Sequence, residues 1–243
     1  PESMMQPDLQ NLVTLNGVQE AALARWQDRG WPGAKDESWR FTRLASLEKL
    51  SLRPADHSLA NGAGDVPAHS LMSGAHIIHF HNGLLVADSL GNLPDGIIAR
   101  LVDEDDLKAV VDLAPADHPV TNLTVAAMTS GLFVDVASGT RVKNPIILMF
   151  TGDSRSVSTH PVVLLRVGER AQASIAEWHS ASVGLSAPLM AIDIADNARL
   201  DYVKIQQDDA TTTHLAATGI RMGEAAILDG FQLSIGACLA RLE

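Results

Sequence analysis

The spacing of apolar positions changes near residue 130. Ahead of that point it is helical. Val18, Ala21, Ala22, Arg25 and Trp26 fall at i, i+3, i+4, i+7 and i+8, and four of the five are apolar, which predicts an amphipathic helix. Gly30 stands where a C-cap glycine belongs, and Pro32 follows it. Phe41, Leu44, Leu47 and Leu50 recur every third position and predict a second helix over 36–50. Residues 54–74, rich in Ala, Gly, Asp, Pro and Ser, read as a linker or long loop. Two apolar runs, 76–81 and 84–86, flank Asn82-Gly83, a strong hairpin signal. Asp103, Glu104, Asp105 and Asp106 precede Leu107, Val110 and Val111, as suits the N-terminus of a short helix. Residues 119–128 predict another.

After Gly131, Val, Ile and Leu alternate with polar residues and turns return regularly. The turns beginning at Gly139, Gly168, Ala195 and Gly223 resemble one another. Their last residues, Val142, Ala171, Ala198 and Ala226, are spaced by 29, 27 and 28 positions. Apolar pairs precede three of them: Leu165/Val167, Ile192/Ile194 and Ile220/Met222. Matched columns follow: Ala173/Leu200/Leu228, Ala176/Val203/Phe231 and Trp178/Ile205/Leu233. A period this long without an internal helical segment predicts a β-solenoid, its columns stacked down the interior. A β-sandwich would not require such in-register self-similarity. The expected organisation is a helical region over 1–60, a linker, hairpin and short helices over 61–129, and β-coils over 130–243. An uncapped coil edge at Glu243 would invite aggregation, so the coils are expected to be covered by a partner or, preferably, to continue in a longer protein.

Composition narrows the function classes. The formal net charge is −11 with no clustered Lys or Arg, which disfavours nucleic acid and anionic membranes as partners. No apolar run is long enough to span a bilayer, and the first residues show no signal-peptide pattern, so a cytoplasmic location is expected. One cysteine, Cys238, precludes an internal disulfide and a four-cysteine metal or cluster site within the chain.

Candidate chemistry is sparse. His79 and His81 share a strand face, with His76 opposite; the choice is between a two-histidine metal site and plain polar strand positions, and no nearby set of ligands favours the metal. Ser46-Leu47-Glu48-Lys49 fits S-x-x-K but lacks its companion motifs, so a polar helix turn is the simpler reading. Cys238 reads as a small buried hydrophobe in a β-stack. Trp178-His179 and His160-Pro161 read as turn and stacking residues at coil borders. Glu177 and Asp201 are carboxylates in different columns, which argues against the alternative of a β-helical enzyme acting on polysaccharide or acyl substrates. Phosphate-loop, dinucleotide, zinc-protease and nucleophile-elbow motifs are absent from the sequence. No catalytic, cofactor-binding or metal residue is assigned.

Four segments resemble the SufD branch of the SufB/SufD family of iron–sulfur cluster assembly proteins. Lys35–Leu44 resembles its K-x-E-x-W-R-[YF]-T-x-L stretch. His160–Glu169 resembles H-P-R-x-x-x-x-x-G-E, with Val162 in place of the arginine. Asn197–Gln206 resembles N-A-x-L-x-x-x-x-x-Q, and Ser234–Arg241 resembles S-x-G-x-x-x-x-R. The resemblance implies a right-handed parallel β-helix after an N-terminal helical region. It also implies a non-catalytic scaffold working with a SufB-like paralogue and a SufC-like ABC ATPase, with a homodimer left open. On this reading no cofactor is held by the chain alone; iron or an iron–sulfur cluster would occupy a site shared within the complex. The family's interface histidine and ATPase-binding helices lie beyond the part matched here.

Overall fold

In the computed structural model, the structure describes residues 16–33, 36–42, 44, 47, 52–56, 59, 74–91, 93–115 and 118–243. The elements follow one another as α1 (Gly17–Arg29), β1 (Arg53–Pro54), β2 (His76–His81), β3 (Leu84–Leu85), β4 (Ile97–Leu101), α2 (Glu104–Leu113), α3 (Pro119–Ala127), β5 (Gly131–Val136), β6 (Ile146–Gly152), β7 (Val157–Thr159), β8 (Val162–Val167), β9 (Gln172–Ala181), β10 (Leu185–Ser186), β11 (Leu189–Ile194), β12 (Arg199–Gln206), β13 (Thr213–Met222), β14 (Ile227–Ser234) and β15 (Leu239–Leu242).

The strands stack as a solenoid with three faces. The first face runs β3-β2-β6-β9-β12-β14. The second runs β4-β5-β8-β11 and then the latter half of β13; the third runs β1-β7-β10, the start of β13, and β15. All rung-to-rung pairs are parallel; Val162 pairs with Leu189 and Leu189 with Ala217. At the end nearer the N-terminus, β3 and β4 pair antiparallel on the outermost strands β2 and β5 and so cover those edges. The stack takes in β2, which lies ahead of residue 130 and pairs in parallel with β6.

The local predictions hold where the chemistry is local. Asn82 (φ 50°) and Gly83 (φ 79°) make the left-handed pair that closes the β2–β3 hairpin. Asp103 caps α2, accepting from the Asp106 amide, and Asp106 returns the bond to the Asp103 amide. Helix α1 ends at Gly30, whose N–H donates to the Trp26 carbonyl. Its buried residues, however, are Gln19, Ala22 and Trp26, while Ala21 and Arg25 are exposed. The face is turned because Gln19 completes the N-terminal capping box with Asn16 and donates to the Met128 carbonyl.

The second predicted helix is not seen as such. Among the described residues of 36–50, only Glu37–Trp39 form a 3-10 turn. Phe41, expected on the apolar face, is 90% exposed, whereas Leu44 and Leu47 are buried. Most of the 54–74 linker lies outside the described residues. So do Ser46, Glu48 and Lys49 of the S-x-x-K match.

Two predictions about the coils need correction. The first turn is displaced: the Gly139 N–H donates to the Glu169 carbonyl, as Arg170 does to Asp196 and Asn197 to Glu224. Gly139 is therefore equivalent to Arg170 and Asn197, not to Gly168. All three, with Ala225, have positive φ. The first turn holds two additional residues, since Arg141 bridges Gln172 yet Ile146 pairs with Ile175. Secondly, the three proposed columns are in correct register, but only Ala173/Leu200/Leu228 belongs to the interior cluster. Ala173 and Ala176 are an odd number of positions apart, so in a strand they must face opposite ways. The columns of Ala176 and Trp178 lie on the outer surface of the first face.

The interior is apolar where the first two faces meet: Leu148, Ile175 and Leu200 pack against Val134, Leu165 and Ile192. The second face is buried on both sides. Helices α1, α2 and α3 cover its outside, packing Ala22, Leu107, Val110 and Val125 on Val162, Leu164 and Leu189. This explains why the first four residues of β8 and of β11 are all apolar and buried, while burial alternates along β9 and β12. Beyond β12 the strands are more open, and Ile220, Met222, Ile227 and Phe231 are exposed.

The assignment of faces can be tested by paired truncations. Ile192→Ala in the interior should lower unfolding free energy by about 2–5 kcal/mol, and Ile205→Ala on the outer surface by less than about 1.5 kcal/mol. Urea unfolding followed by circular dichroism measures both; equal losses would contradict the parity.

Candidate functional site

The parity that sends Trp178 outward sends its neighbours in. Glu177, His179, Lys204 and Gln206 fill interior positions where the preceding rung carries Leu148 and Phe150. They are 0–2% exposed. Glu177 is the hub. Its Oε1 lies 3.0 Å from His179 Nε2, its Oε2 lies 3.3 Å from Lys204 Nζ, and the Tyr202 hydroxyl donates to Oε2. The His179 ring stacks on Phe150 (centroids 4.4 Å, planes 8° apart), which stacks in turn on Phe80. The edge between His179 and His214 brings their centroids to 4.9 Å.

A second carboxylate closes the far side. Asp208 Oδ1 accepts from the Ala181 amide at 2.8 Å. Its Oδ2 accepts from Gln206 Nε2 at 3.0 Å and lies 2.7 Å from His214 Nδ1, a close contact at an imperfect angle. The Ser234 hydroxyl donates to Gln206 Oε1 at 2.6 Å. The result is a polar seam crossing the β9, β12, β13 and β14 rungs, with His179 Nδ1 and His214 Nε2 left without partners.

Burial by itself would raise the Glu177 carboxyl, but the Lys204 charge and the His179 hydrogen bond outweigh it and hold it at about 2. Asp208 behaves alike: burial pushes it up, and His214 chiefly brings it down to about 2. Burial pushes His214 down to about 4 against the opposing pull of Asp208. At neutral pH both carboxylates of the seam are therefore ionised.

Both Glu177 oxygens are engaged, and Asp201 lies on the outer surface with Arg199 2.7 Å away. Glu177 and Asp201 thus point to opposite sides of the first face and do not share a cleft. His179, expected at a coil border, sits within β9; its stacking role is observed, and its hydrogen bond to Glu177 is additional. His160 does lie at the β7–β8 corner, buried with neither ring nitrogen partnered.

His79 and His81 share a face, as expected. They converge on one hydroxyl: Thr151 Oγ1 lies 2.7 Å from His79 Nε2 and 3.0 Å from His81 Nδ1. Among the described residues, no group of three or more His, Cys, Asp or Glu side chains is disposed to hold a metal ion. Cys238 is exposed, not buried, because it follows the left-handed Ala237 on the approach to β15; its Sγ lies 3.5 Å from Thr213 Oγ1.

Sequence reasoning does not mark Tyr202, Lys204, Asp208 or His214, and it marks Gln206 only as the last residue of the Asn197–Gln206 resemblance. The signal was available in the alternation: Tyr202, Lys204, Gln206 and Asp208 all share the parity of the interior residue Leu200.

Comparison with known proteins places this seam in a family context. Residues 150–243 match the family described as SUF system FeS cluster assembly, SufBD core domain. The chain is 23% identical to the iron-sulfur cluster assembly SufBD family protein of Synechocystis over 86% of its length and 51% of that protein's. It is also 23% identical to the chloroplastic protein ABCI7 of Arabidopsis thaliana, over 94% of its own length and 52% of the relative's. The chain thus spans about half the length of these relatives. Among the described residues, no helix is long and apolar enough to cross a membrane.

Two predictions follow from the buried charges. Lys204→Met removes the ion-pair partner of the buried Glu177 and should cost about 3–5 kcal/mol, most of it recovered in the Glu177→Gln/Lys204→Met double variant. Chemical denaturation of the cycle decides this; a harmless single substitution would show the ion pair to be unimportant.

The second concerns pH. Burial depresses His79, His118 and His214 to about 4 and His160 to about 3, from an ordinary 6.5. The unfolded chain therefore takes up these protons first. Stability is full above pH 6.5 and falls as pH drops from 6.5 towards 4. Glu177 and Asp208, depressed from 4.5 and 3.8, extend the loss below about pH 4.5. Melting temperature should stay level from pH 8 to about 6.5 and then decline towards pH 4; a profile flat throughout contradicts the burial of these neutral imidazoles.

Proposed function

Since residues 150–243 match the SufBD core domain of the SUF system, we propose that this protein is a non-catalytic scaffold subunit of an iron–sulfur cluster assembly complex. Its partners in this reading are a SufB-like paralogue and a SufC-like ABC ATPase, with ATP hydrolysis residing in the latter. What carries the reading is where the family match falls. It covers β6 from Phe150 onward and every later rung, including the whole buried seam. There the ionisable side chains are engaged with one another inside the solenoid. Rigid internal pairing of this kind suits a subunit that presents a surface. Iron or a cluster, in this reading, is cargo held at a site shared with a partner. A single cysteine in the chain suits a reducing compartment, and the cytoplasm is the expected one.

Co-expression of the full-length protein with a candidate SufB–SufC pair, followed by affinity purification, tests the proposal. Recovery of all three proteins together is expected. Isolation of this protein alone, under conditions in which SufB and SufC stay associated, would count decisively against it.

A further inference from the structure

Two segments 199 residues apart meet at one side chain. Arg241, on β15, donates from Nη1 to Thr42 Oγ1 at 2.8 Å, and its guanidinium lies 4.1 Å from the centre of the Trp39 ring. Glu243 orients the guanidinium, its Oε1 accepting from both Nε and Nη2. Glu243 Oε2 in turn lies 2.8 Å from His118 Nε2. The other nitrogen of His118, Nδ1, accepts from the Thr121 amide at the start of α3.

Among the described residues, the 36–42 segment is otherwise held by the Arg29–Asp36 ion pair at 3.2 Å and by Trp39, whose ring meets that of His118. Its backbone hydrogen bonds are local turns, such as Thr42 N–H to the Trp39 carbonyl, and it joins no strand. Trp39, 3% exposed, is its buried anchor, packed in the cluster that contains Leu185, Ala187 and Leu215 of the solenoid's third face. Phe41, two residues on, points to solvent.

We propose that Arg241 is a latch that closes the 36–42 strap over the third face, and that the strap opens as a unit separate from the rungs. Cation–π stacking together with one hydrogen bond amounts to about a tenfold shift in the opening equilibrium. Lysine at this position keeps the charge but loses the flat ring contact and the fork.

Hydrogen exchange read by mass spectrometry on the full chain tests the latch. In Arg241→Ala, amides within 36–42 should exchange about tenfold faster, with Arg241→Lys intermediate and peptides from β9 and β12 unchanged. Unaltered exchange in 36–42 overturns the proposal. So does an equal acceleration in β9 and β12, which would make Arg241 a contributor to general stability only. Should Arg241→Ala fail to fold, Thr42→Val removes the hydrogen bond alone: a several-fold acceleration confined to 36–42 supports the latch, and no change overturns it.

Discussion

Each rung hydrogen-bonds to the one before it residue for residue, and that parallel ladder dictates what every side chain can do. Strand side chains alternate faces, so once Leu200 points inward, Tyr202, Lys204 and Gln206 must do so too. A slip by one residue would put the charged residues outside and bring Val203 and Ile205 in. The ladder thus imposes burial on Glu177 and Lys204, and their pairing makes that burial tolerable. Taking two ions out of water costs several kcal/mol each, and only close geometry with further hydrogen bonds offsets it. Tyr202 and His179 supply those hydrogen bonds at Glu177.

The interior changes character along the axis. The β2 and β6 rungs place Ile78, Phe80, Leu148 and Phe150 inward, and the next rungs place Glu177 and His179 in the same columns. The Phe80–Phe150–His179 stack is the junction, since an imidazole offers an aromatic face to the phenyl ring and a polar edge to Glu177. A framework of paired charges is directional in a way that an apolar core is not, and it fixes the relation of successive rungs.

Much of this architecture was legible in the sequence because it depends on period and local chemistry. The Asn82-Gly83 hairpin, the acidic start of α2 and the Leu165/Val167, Ile192/Ile194 stacking are all encoded within a few residues. Residue type pairs Gly139 with Gly168, but the ladder, a long-range property, equates it with Arg170. The polar seam was hidden for a different reason. Apolar character alone does not mark the interior, since Trp178 and Ile205 face outward and Lys204 inward. The Arg241–Trp39 contact joins the two ends of the described chain, and no periodicity carries such information.

The extra residues in the first turn have a consequence for how this kind of chain can vary. Between Arg141 and Ile146 the backbone leaves the register of the other rungs and regains it before β6 begins. Lys143 and Asn144 are exposed there. Corners of the coil can therefore absorb changes in length that no strand could accept, because only strands are counted by the ladder. Such a corner is a natural place for a sequence to acquire a new appendage, a recognition loop or a docking peptide, while the stack behind it keeps its count.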